Sequence, residues 1–208
     1  MHRTPHASGP TWIQGWPLLG TLAFGLLLMA AVVLALAPDV DGIRQLIRVT
    51  ARSSFVLFLL AFTASAAARR WPGEVTRWQL ANRRQIGLGF VVSHTIHAAA
   101  IASFAALDPV GFHAATSPGN FVSGGLAYAF IVLMAVTSFD GAVRWLGARR
   151  WRVLHLTGLY FLWVSFVITF GKRIPMSGGY VLPVVVLLAA LALRFWPQRR
   201  ALEPSVAR

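Results

Sequence analysis

Residues 85–107 read QIGLGFVVSHTIHAAAIASFAAL, a run with no acid, lysine or arginine that carries two histidines, His94 and His97. At about 1.5 Å of rise per residue, such a run crosses the roughly 30 Å of a bilayer's hydrocarbon core. Hydrocarbon offers the backbone no water to bond, so a lone apolar run of this length is a membrane-spanning helix. Arg83-Arg84 before it and Asp108 after it mark its two ends.

Five further runs repeat the pattern: Pro17–Ala37, Ser53–Ala68, Gly119–Phe139, Val153–Gly171 and Ile174–Leu193. The second is short and extends back through Gln45–Thr50, with Arg48 snorkelling to the headgroups. The expected fold is an all-α polytopic bundle of six transmembrane helices over residues 17–196. An N-terminal segment, 1–16, precedes it, and a basic tail, 197–208, follows as a disordered end. Composition agrees: the chain is 57% hydrophobic and only 12% charged, where a soluble domain carries about 25% charged residues. Ala35-Leu36-Ala37 resembles a signal-cleavage site, but the run before it is longer than a signal core and Met1–Trp16 is a poor basic leader, so the first run reads as a retained span.

The net charge is +13, with 19 arginines and lysines against six acids. The arginines sit at the ends of apolar runs, which reads as headgroup anchoring and lipid contact, with no nucleic acid as partner. Fourteen of the basic residues (Arg3, the 69–84 and 144–152 clusters, and those from Arg194 onward) fall on one side of the six spans; Arg44, Arg48, Arg52, Lys172 and Arg173 fall on the other. The positive-inside rule then places both termini in the cytoplasm of a multi-pass inner-membrane protein. The absence of cysteine excludes disulfides, thiolate-ligated clusters and covalently attached c-type haem.

All six acids, from Asp39 to Glu203, lie in loops or at helix ends, which counts against a proton or cation transporter. No phosphate loop, dinucleotide fingerprint or H-E-x-x-H is present. The chemistry therefore rests on histidine, since an ionisable group inside a membrane points to function by default and histidine is the usual axial ligand of haem iron. His94 and His97 share a helix face. His97 lies about 20 Å along its helix from Arg84, and His155 only about 4.5 Å from Arg152. On helices running the same way, the two differ in depth by about 15 Å, so His97 and His155 do not clamp one haem. The competing reading for each is a hydrogen-bonding histidine facing a neighbouring helix. His113 reads as a solvated loop residue. Gly87, Gly89 and Gly158 either leave room for a flat macrocycle or mark close helix packing.

Arg83-Arg84-Gln85-Ile86-Gly87-Leu88 followed by His97 resembles the third span of the ferric-reductase-like transmembrane domain family, in the pattern of its MsrQ/YedZ-type haem-binding membrane subunits. Thr137-Ser138, Arg144-Trp145-Leu146-Gly147 and Trp151-Arg152-Val153-Leu154-His155 resemble that family's approach to its fifth span, and Val49-Thr50-Ala51-Arg52 its entry to the second. The resemblance implies a b-type haem subunit that passes electrons across the bilayer from a cytoplasmic flavin or a membrane quinol to an outer acceptor, working with a redox partner protein rather than as a stand-alone enzyme. It implies His97 and His155 as iron ligands; on a haem reading His94 stands beside His97 to help, and Arg83, Arg84 and Arg152 would bind propionates or headgroups. The chain departs from the family where a second histidine is expected on the fifth span, which here reads Ile168-Thr169-Phe170. His94, His113 and Met176 stand as replacement ligands for His97. One haem b is then the expected count, with two requiring an unconventional ligand. The other function in view is a haem-free scaffold or accessory subunit of the same fold.

Overall fold

The structure, a computed structural model, describes residues 11–197. Among these residues the regular structure is all helical. Six helices are long and apolar enough to cross a membrane, which fits a multi-pass membrane protein. The spanning helices are α1 (Gly15–Leu36), α2 (Val40–Arg70), α4 (Arg83–Leu107), α6 (Pro118–Val136), α8 (Ala148–Gly171) and α9 (Val181–Phe195), the last reaching spanning length with the turn before it, from Gly178. Three short helices join them: α3 (Glu74–Ala81), α5 (Pro109–Ala115) and α7 (Asp140–Leu146). The basic tail and most of the N-terminal segment expected from the sequence lie outside the described residues.

Several boundaries differ from the sequence expectation for local reasons. The second span is one continuous helix of 31 residues, because Asp39 caps it by accepting from the Gly42 amide at 3.0 Å. The segment after Asp108, where His113 reads as a loop residue from the sequence, contains α5. There Asp108 accepts from the Gly111 amide at 2.8 Å, and Pro109 occupies the first turn, where a missing N–H costs nothing. The sixth span begins later than Ile174: two 3-10 turns, Ile174–Met176 and Gly178–Tyr180, precede α9. Gly147 stands at φ +77° between α7 and α8, a conformation that glycine adopts without penalty.

Successive spans run in opposite directions, and side chains lock their ends. At the arginine-rich end, the Gly15 amide donates to Asn82 Oδ1 at 2.8 Å and Trp78 Nε1 to the Ile13 carbonyl at 2.8 Å. Arg194, in the last turn of α9, reaches the Phe62 carbonyl on α2 at 2.8 Å and lies over the Phe62 ring. At the opposite end, Arg44 of α2 pairs with Asp108 at 3.7 Å.

The centre is aromatic. Phe58, Phe62, Phe90, Phe166 and Phe170 are buried together, with Phe58–Phe166 centroids 5.1 Å apart. The outward faces of the helices stay apolar and exposed, as with Phe24, Leu28 and Val32 on α1, which fits lipid contact. Because lipid is as apolar as these side chains, close van der Waals fit and interhelical hydrogen bonds hold such helices together. Gly158 illustrates the first: a Cβ there would run into Met134 Sδ and come within 3.1 Å of Phe130 on α6. Thr50, Ser53, Ser54 and Ser93 illustrate the second. The Ser93 hydroxyl lies 2.8 Å from those of Ser53 and Ser54 and donates to the Thr50 carbonyl at 3.2 Å, tying α4 to α2.

Candidate functional site

A cavity of about 490 Å³ opens at the arginine-rich end between α4, α6 and α8. That volume falls in the range of about 300–1,000 Å³ usual for organic ligands and cofactors. Its walls are mostly apolar (Phe58, Phe90, Val91, Ile131, Met134, Leu159, Leu162), and its polar groups are few: Arg83, Arg84, Ser138, Asp140 and His155, with the indole of Trp151. Gly87 also lines it, and a Cβ added there would meet nothing within 4 Å. This glycine leaves space, whereas Gly158 and Gly89 are packing contacts, Gly89 against Leu22.

His155 is held on two sides. Its ring stacks on Trp151, centroids 4.1 Å apart, because residues four apart meet on one helix face. Its Nε2 lies 2.9 Å from Thr137 Oγ1, and Trp151 Nε1 donates to the Thr137 carbonyl at 2.8 Å. The two arginines at the cavity differ. Arg84 is ion-paired with Asp140 at 2.9 Å and also donates to the Ser138 carbonyl at 3.2 Å. Arg83 donates to Ser65 Oγ at 3.2 Å and has no carboxylate within ion-pair distance among the described residues. The site therefore offers a flat or elongated apolar ligand a greasy wall, an imidazole, and at its rim an arginine with no acid of its own. Arg152, grouped with these arginines from the sequence, is exposed on α8 and is not part of the lining.

His94 and His97 lie elsewhere, and neither lines the cavity. Their rings are 5.4 Å apart. His97 faces α2, its Nδ1 2.9 Å from Thr50 Oγ1. His94 is ringed by Phe90, Tyr128 and Phe166 at 4.6, 5.6 and 6.3 Å, and its Nδ1 is buried without a hydrogen-bond partner among the described residues. The depth separation expected from counting residues is visible in these contacts. At the level of His94, α8 presents Phe166, eleven residues past His155 and thus about 16 Å further along. Phenylalanines and Tyr128 fill the space between α4 and α8 there. Of the replacement ligands considered for His97, His113 sits on α5 against Phe112, and Met176 is exposed. Among the described residues no three His, Cys, Asp or Glu side chains gather as a metal-ion site.

Sequence reading missed Thr137, Trp151 and Thr50 as partners of the histidines. The signal for Trp151 was its i,i+4 spacing from His155. For the threonines it was only a hydroxyl within or at the end of an apolar run, a weak mark because such hydroxyls often satisfy their own helix. No protein-family model matches the chain, and comparison with curated proteins and with solved structures gives no match.

Proposed function

We propose that the chain is a b-type haem-binding membrane subunit that carries electrons, with one haem at the level of His155. The observation that carries this reading is the cavity itself, which brings an imidazole, an arginine with no carboxylate partner among the described residues and a glycine opening onto apolar walls into one space large enough for a cofactor. These residues fit the group. His155 would supply a nitrogen ligand to the iron. Arg83 would bind a propionate by charge-assisted hydrogen bonds, and Arg84 would do so in exchange for Asp140. Phe58, Phe90, Ile131 and Leu162 would keep water out. The chemistry a bound haem supplies is one-electron transfer at iron. The His94–His97 level does not fit a second macrocycle, because Phe90, Phe166 and Tyr128 occupy the room beside His94. No electron-transfer step is assigned to that level.

The test is direct. Purified from haem-supplied cells, the protein should give sharp reduced b-type bands after dithionite, and a pyridine haemochrome assay should return about one haem per chain. Absence of the bands sinks the reading, and two haems per chain would show that the phenylalanine-filled level rearranges. The rival, a haem-free scaffold subunit, is favoured by one observation: His155 and His97 each already hold a threonine hydroxyl and have a structural role without iron.

Direction follows from charge. The arginine-rich end, which holds the cavity, is proposed to face the cytoplasm, so the donor, a quinol or a flavin-bearing partner protein, would act there and the acceptor outside. Reporter fusions after Arg77, after Arg149 and at the C-terminus should read cytoplasmic, and one within 108–118 periplasmic. A periplasmic C-terminus would reverse the assignment.

A further inference from the structure

Two threonine hydroxyls fix the protons of the two histidines in opposite senses. Each hydroxyl has one hydrogen to give. Thr50 Oγ1 lies 2.6 Å from the Leu46 carbonyl and Thr137 Oγ1 lies 2.6 Å from the Leu133 carbonyl. A carbonyl only accepts, so each hydroxyl's hydrogen is spent on its own helix, and toward the histidine each hydroxyl acts as acceptor. The imidazole nitrogen in each pair must then be the donor. A neutral His97 carries its proton on Nδ1 and keeps the Nε2 lone pair. A neutral His155 carries its proton on Nε2. The nitrogen that binds a metal is set by the bond that the other one makes.

We propose that Thr137 is a positioning residue that holds the His155 proton on Nε2 and so leaves Nδ1 as the nitrogen open to a ligand, while Thr50 holds His97 in the opposite tautomer and has no part in the cavity. The Trp151 indole, bonded to the Thr137 carbonyl and stacked on the His155 ring, keeps hydroxyl and imidazole in register. The part of this proposal that concerns haem rests on the function proposed above; the part that concerns tautomers does not.

Nitrogen-15 spectra of histidine-labelled, haem-free protein in detergent test the tautomers first. His97 should show its proton on Nδ1 in wild type and in T50S, and revert to the Nε2–H form, which free imidazole favours, in T50V. The His155 Nε2–H should be protected from solvent exchange in wild type and T137S and lose that protection in T137V. Haem titration then tests the positioning. Loss of this supporting hydrogen bond should weaken haem binding to T137V by roughly 10- to 100-fold, with T137S and T50V at the wild-type value. An Nε2–H His97 in wild type, or an unprotected His155 Nε2–H, overturns the tautomer assignment. T137V binding haem as tightly as wild type overturns the positioning role. Failure of every form to bind haem, with the spectra as expected, counts against the haem reading and leaves the tautomer assignment upheld.

Discussion

His155→Ala should abolish the b-type spectrum, while His97→Ala should leave it largely in place. The asymmetry follows from where the structure puts the two rings. Among the described residues His155 is the only histidine lining the cavity, so its removal takes away the imidazole they place in that space. Loss of a mere supporting partner typically costs about 10–100-fold in metal affinity, and loss of the ligand itself should exceed that, leaving no measurable haem after purification. His97 bonds to Thr50 on α2, outside the lining. Its removal should cost stability through an unmade interhelical bond, about 0.6 kcal/mol on average in a membrane bundle, without touching iron. Reduced-minus-oxidised spectra of monodisperse variants decide the matter. A full spectrum in His155→Ala, or its complete loss in a well-folded His97→Ala, would place the haem at the wrong level.

The sequence carried the six spans because hydrocarbon imposes so strict a rule that uncharged length alone reveals a helix. It carried the depth difference between His97 and His155 as well, since 1.5 Å per residue is fixed by helix geometry. It did not reveal α3, α5 and α7. These are short connecting helices, set by local caps such as Asp108 on Gly111 and by packing at the bundle ends, and no long apolar run announces them. Nor did it show which glycine leaves space. Gly87, Gly89 and Gly158 look alike as letters; only the neighbouring helix decides that Met134 and Phe130 crowd one of them and Leu22 another. The arginines divide in the same way. Arg83 and Arg152 each sit near the start of a spanning helix, yet one lines the cavity and the other is turned to the outside, a matter of rotation about the helix axis that loosely periodic apolar runs leave unset.

Gly87→Leu should yield a folded protein that has lost its haem, and Gly158→Leu a protein that fails to fold, although both changes add the same four carbons to a glycine in a spanning helix. At Gly87 the first added carbon meets no atom within 4 Å, and leucine is a better helix former than glycine. The side chain grows into the cavity and takes space that a cofactor needs. Overpacking of this kind costs about 1–3 kcal/mol, here charged to the bound state alone, which corresponds to roughly a five- to 150-fold loss of haem affinity. At Gly158 the first carbon already collides with Met134 and presses on Phe130, so Met134 must move, and the three further carbons of leucine push α6 away from α8. The Thr137–His155 and Trp151–Thr137 bonds across that interface would part with it. Size-exclusion profiles and thermal melts in detergent, read beside the visible spectrum, separate the two outcomes. A Gly87→Leu protein that stays monodisperse and keeps full haem would show that the cavity between α4, α6 and α8 is not where the cofactor sits.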